Sequence, residues 1–211
     1  MLDFLILALL LGIKHSFDAD HLLAVSNLLI RSKSLRQTVK MGVSWALGHM
    51  ITAVIITALL FAFRGSLSPI LENFEMLVAL MLILLGVVSL RQTTLHLHAH
   101  SHDGSKHKHL HDHDDRHMHK HMFGVGIIHG LASNDELLVL ITATLGLSSF
   151  VGITLGIAIF SLGVIIGMTG YSMLLTYPLI KISRESMSNA VNGIAGVLSL
   201  AYGLLLLFGA L

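Results

Sequence analysis

The chain has 211 residues, of which 54% are hydrophobic and 12% charged, and its mean hydropathy is +0.81. A soluble domain carries about twice that charged fraction, so composition points to an integral membrane protein and excludes an ordinary soluble enzyme. The net charge of +1 is segregated by loop, and the absence of cysteine excludes disulfides, iron–sulfur clusters and thiolate metal sites.

In chain order, six apolar stretches are long enough to span a bilayer, at about 4–30, 38–63, 70–90, 123–147, 150–177 and 190–211. Met1-Leu2-Asp3 lacks the basic region of a cleaved signal peptide, so the first stretch is expected to remain as structure. That stretch exceeds one crossing, which predicts a tilt or a break near Gly12. Glu72, Asn73 and Glu75 crowd the start of the third.

The first stretch holds a cluster of ionisable residues, Lys14-His15-Ser-Phe-Asp18-Ala-Asp20-His21. Such residues at membrane depth need a cation, a proton or one another. On a straight helix His15, Asp18 and His21 share one arc at three-residue steps, while Asp20 points away from it unless the helix unwinds. Lys14 stands four residues before Asp18 and can neutralise it. A polar plug satisfied by Lys14 is the plain alternative, but imidazole and carboxylate together suit borderline divalent metals. His49 lies in the second stretch beside Gly48, which permits close helix approach.

Between the third and fourth stretches, residues 96–121 hold eleven of the fifteen histidines, interspersed with Asp and Lys and without apolar periodicity. This composition predicts a loop without fixed structure in the absence of metal. In the fourth stretch His129 is followed by Asn134, Asp135 and Glu136, which are candidate ligands or membrane-edge charges.

The chain repeats itself. Gly12-Ile-Lys-His15 recurs as Gly126-Ile-Ile-His129, Asp20-His21-Leu-Leu as Asp135-Glu136-Leu-Leu, and Leu47-Gly48 as Leu162-Gly163. Three helices per half give the halves opposite orientations, the inverted-repeat plan of many secondary transporters. The expected organisation is all-α, with six transmembrane helices as a 3+3 inverted repeat: 1–95, a histidine-rich loop at 96–121, and 122–211. Eleven of the thirteen basic residues fall in the connections 1–2, 3–4 and 5–6. The positive-inside rule then makes the histidine-rich loop cytoplasmic and puts both termini outside a plasma membrane.

With these residues in view, Lys14-His15-Ser-Phe-Asp18-Ala-Asp20-His21-Leu resembles the first signature of the nickel/cobalt transporter family, R/K-H-A-x-D-A-D-H-I. Trp45-Ala-Leu-Gly48-His49 is similar to its second, F-x-x-G-H. The third is matched only by Gly130 and Glu136, with Ala132 where the family has Asp, and the fourth keeps Gly167 and Met168 but has Ser172 in place of Asp. The histidine-rich loop is similar to that of nickel/cobalt efflux proteins of the wider superfamily, and Gly126-Ile-Ile-His129-Gly-Leu-Ala to its urease-accessory-type relatives.

The resemblance implies a secondary transporter of Ni2+ or Co2+. The metal ligands are expected among His15, Asp18, Asp20, His21, His49, His129, Asp135 and Glu136. The His-x4-Asp-His pattern favours uptake, and the histidine-rich loop favours efflux. No prosthetic group is expected, only the transported ion. The expected partners are that ion and the lipid bilayer, with no nucleic acid; a homo-oligomer or a small companion subunit stays open. A reading of another class is an intramembrane zinc-dependent hydrolase using His15, Asp20, His21 and His129, against which the absence of His-Glu-x-x-His counts. No Gly-x4-Gly-Lys-Ser/Thr sequence is present, so the chain carries no Walker-type nucleotide site of its own.

Overall fold

A computed structural model describes residues 2–30, 32–63, 68–96, 118–132, 150–182 and 185–209. The described residues form α-helices and connecting turns: α1 Leu2–His15, α2 Ala19–Leu29, α3 Leu35–Ala62, α4 Ser68–His96, α5 Met118–Ala132, α6 Phe150–Ile182 and α7 Glu185–Leu207. Four of them, α3, α4, α6 and α7, are long and apolar enough to cross a membrane. Their outward faces are apolar, as with Ile51, Ile55, Leu84, Ile166, Leu174 and Ile194, which suits contact with lipid tails. His96 closes α4 and Met118–His121 open α5, so these ends of the histidine-rich stretch are helical.

The first apolar stretch is two helices, each too short to cross alone. The break falls at Ser16–Phe17–Asp18, four residues beyond the glycine expected to cause it. Phe17 N–H bonds Lys14 C=O and Asp18 N–H bonds His15 C=O, which tightens the last turn of α1. Asp18 is then extended (φ −64°, ψ 145°) and its carbonyl accepts the first bond of α2, from Leu22 N–H. Its carboxylate makes no cap bond to α2, because Lys14 Nζ and His15 Nδ1 each lie 3.1 Å from it.

Gly12 stays helical because it is a crossing point. A Cβ there would overlap the carbonyl oxygen of Phe160, and one on Gly163 would overlap that of Leu9. Gly126 lies in the same way against Trp45 C=O, Gly130 against His49 C=O, and Gly48 against Phe123 C=O. Backbone-to-backbone crossings of this kind let helices associate where no hydrophobic effect drives them.

The order of these contacts gives helix directions. Moving from Gly163 to Gly167 moves the neighbour from Leu9 to Ser16, so α1 and α6 run parallel. Moving from Gly126 to Gly130 moves it from Trp45 to His49, so α3 and α5 run parallel. Thr38 meets Thr176 while Gly42 meets Ser172, so α3 and α6 are antiparallel. It follows that α1 and α5 run in opposite directions. The remaining pair, α4 and α7, is antiparallel: Gly86 meets Gly196, Ala79 meets Gly203, and Ser89 bonds Asn192.

Candidate metal centre

The break after α1 sets the chemistry at the centre of the bundle. It turns the start of α2 so that Asp20 joins His21 in facing the same interior as His15, which a straight helix does not allow. Close approach at Gly48, Gly126 and Gly130 brings α3 and α5 alongside, with His49 and His129 pointing inward. All four histidines are at most 2% exposed. Ring centroids lie 4.8 Å apart for His15–His21 and His21–His49, and 5.2 Å apart for His15–His49 and His21–His129.

Carboxylates stand behind two of the rings. His15 Nδ1 lies 3.1 Å from Asp18 Oδ2, and His21 Nδ1 lies 2.8 Å from Asp20 Oδ1. A carboxylate is an acceptor, so each Nδ1 carries the proton and each Nε2 keeps its lone pair. His129 is held likewise by the backbone, its Nδ1 donating to Val125 C=O at 3.2 Å. His15 Nε2 lies 3.0 Å from His49 Nε2, so His49 donates there and its Nδ1 is left as an acceptor.

Three inward nitrogens, His21 Nε2, His49 Nδ1 and His129 Nε2, are buried with no hydrogen-bond partner among the described residues. Leaving a buried polar group unpaired costs about 1–3 kcal/mol. Three in one place call for a ligand that accepts lone pairs, which a divalent cation does. Histidines held by carboxylates or backbone carbonyls are the usual arrangement around a metal. Among the described residues, two groups of side chains offer donor atoms within 4.8 Å of one another: His15, His21 and His49, and Asp20, His21 and His129. Asp20 Oδ2 and His129 Nε2 are 4.0 Å apart.

The structure thus brings His15, Asp18, Asp20, His21, His49 and His129 together. Asp135 and Glu136 lie outside the described residues, as do Asn134 and most of the histidine-rich loop. Asp18 is the most exposed of the gathered side chains, at 29%, and its carboxylate bonds His15 at the rim of the cluster. Two aromatic contacts are additional to the sequence expectation. Trp45 stacks on His49 with centroids 5.0 Å apart and planes 9° apart, and Phe160 lies 5.7 Å from His15. Trp45 stands four residues before His49, a spacing that puts the two on one helix face; no such signal marks Phe160, which arrives from α6.

Among the described residues, helices long and apolar enough to cross a membrane surround a buried histidine–carboxylate cluster, the arrangement of an all-α membrane protein with a polar interior. No family model matches the chain, and no solved structure matches it. The urease accessory protein UreH of Bacillus sp. (strain TB-90) is 30% identical over 209 residues, covering 97% of this chain and 90% of the relative. The chain belongs to the family of that protein, the urease-accessory-type group whose helix-four sequence Gly126-Ile-Ile-His129 resembles.

Proposed function

We propose that the protein is a secondary transporter of divalent transition-metal ions, Ni2+ or Co2+, working in the uptake direction. The observation that carries this reading is the convergence of His15, His21, His49 and His129, from four helices, with unpartnered nitrogens aimed inward. Neutral imidazoles backed by Asp18 and Asp20 select nickel, cobalt or zinc over magnesium and calcium, which prefer oxygen ligands. A urease accessory protein as relative agrees with a role in metal supply and not in catalysis. His15, His21, His49 and His129 face the ion; Asp18 and Asp20 hold the imidazoles, and Asp20 turns its second oxygen toward His129. Asp135 and Glu136 complete the set from the second half.

The architecture proposed is six spans in two inverted halves, 1–95 and 122–211, joined by the histidine-rich loop. The helix pairings support it. Under the correspondence of Gly12 with Gly126 and Gly48 with Gly163, the crossing of Gly12 on Gly163 maps onto that of Gly126 on Gly48. The opposed directions of α1 and α5 agree. The broken α1–α2 pair counts as one span, as discontinuous helices do in transporters of this plan. Both termini face outward and the loop is cytoplasmic, where it collects or buffers metal.

Efflux is the second reading, favoured by the eleven histidines of 96–121 on the proposed cytoplasmic side. One experiment tests both: radiolabelled nickel and cobalt flux in proteoliposomes of the purified protein, measured in each direction. Inward flux supports the proposal, outward flux supports efflux, and no flux with either ion overturns transport.

A further inference from the structure

The cluster contains two donor groups, and they share one ligand. His15, His21 and His49 form one group; Asp20, His21 and His129 form the other. His21 has its Nδ1 engaged by Asp20, so a single ring nitrogen, Nε2, is free to face an ion. His49 Nδ1 and His129 Nε2 likewise have no hydrogen-bond partner among the described residues.

The geometry points to a two-station relay, in which one dication at a time passes between a His15/His21/His49 station and an Asp20/His21/His129 station with His21 as the common ligand. This inference rests on the transport reading above. Two dications cannot occupy both stations together, because they would compete for His21 and repel at a separation of a few ångströms.

The stations differ in their donors. The first offers three imidazoles, with Asp18 behind His15 and not facing the ion; the second offers two imidazoles and the Asp20 oxygen that lies 4.0 Å from His129 Nε2. Each has three protein donors among the described residues, so neither is a deep trap, and multi-site weak binding is what passage requires. The stations also belong to different parts of the bundle. His15 lies on α1 and His49 on α3, whereas His129 lies on α5, parallel to α3 and opposed to α1. The shared His21 is on α2, the short helix freed from α1 by the break at Ser16–Asp18. A small tilt of α2 moves His21 toward one histidine and away from the other.

Co2+ is the probe, because its visible d–d bands move to higher energy as imidazole replaces carboxylate. In the purified full-length protein one Co2+ with two overlapping bands is expected beyond those the histidine-rich loop holds, read as the difference from His21→Ala, which lacks the common ligand. His129→Ala is expected to keep the higher-energy band, and His49→Ala the lower-energy one. Each variant should bind within about 100-fold of the wild-type affinity while losing flux in proteoliposomes. The Gln variants at both positions keep side-chain volume and must give the same division of bands.

A single band that either substitution abolishes would mean one composite site and overturn the relay. A difference of two Co2+ between the wild type and His21→Ala would overturn it by showing independent sites, and so would full flux in both variants. Absence of Co2+ binding and of flux in the wild type would instead overturn the transport reading itself.

Discussion

His15 Nε2 and His49 Nε2 lie 3.0 Å apart, although 34 residues and a change of helix direction separate them. Two neutral imidazoles at that distance share the single N–H proton of His49, and an ion bound between them sends that proton to His49 Nδ1 without releasing it. Binding of Ni2+ or Co2+ near neutral pH is accordingly expected to release no net proton, so the heat measured by titration should be the same in buffers of different ionisation enthalpy. Release of a full proton per ion would count against this pair as neutral ligands.

Replacing His15 or His21 by Ala should remove flux and leave membrane insertion intact. His21 is the more severe of the two, since both donor groups include it. Radiolabelled nickel uptake alongside a size-exclusion profile separates loss of the site from loss of the fold; normal uptake by a well-folded His21→Ala protein would remove the residue from the ion's path.

Asp18→Asn and Asp20→Asn should differ. Asp18 only orients His15, and loss of an orienting partner typically costs about 10–100-fold in metal affinity. Asp20 orients His21 and also presents its second oxygen toward His129, so its loss should exceed that of Asp18. Isothermal titration of both variants with Ni2+ gives the order; equal losses would show that the second oxygen has no role.

Trp45 is the one tryptophan in the chain and stacks directly on His49. Nickel or cobalt in the cluster should quench its emission, while Zn2+, with a filled d shell, should leave most of the intensity. His49→Ala should weaken the response to Ni2+. Emission unchanged by saturating Ni2+ would mean that the ion binds elsewhere.

Replacing residues 98–117 by a flexible linker should preserve selective transport while changing capacity or metal tolerance. The replacement stops short of Met118 because α5 begins there and Met122 is buried in the core. Complete loss of flux in a folded deletion would place the loop on the pathway.

Sequence patterns revealed much of the helical framework and less of the site's internal logic. The long apolar runs of α3, α4, α6 and α7 are readable because burial in lipid demands uninterrupted hydropathy. The split of the first run into α1 and α2 was harder to place, because Gly12 looks like a breaker yet serves as a crossing point. The break is made at Ser16–Asp18 by side chains, with Ser16 Oγ donating to Ile13 C=O and Asp18 engaged by Lys14 and His15. The ionisable residues stand out individually in the sequence, because charge at membrane depth is costly. Which of them face an ion and which only orient a neighbour depends on contacts between α1, α2, α3 and α5. Spacing along one helix does not encode those contacts. Asp20 shows this well: on an unbroken helix it points away from His15, and only the turn before α2 brings it inward.

The pairing of α1 with α6 and of α3 with α5 also bears on how the protein is made. The first helix leaves the ribosome well before its partner α6 exists, and His49 is in place before α5 delivers His129. Until late in synthesis His15, His21 and His49 lack the packing of α5 and α6 that holds their helices together, and the group with Asp20 lacks its His129. Metal competence therefore arrives at the end of assembly, when the last helices dock. Halves produced as separate polypeptides should acquire it only when they are present in the same membrane.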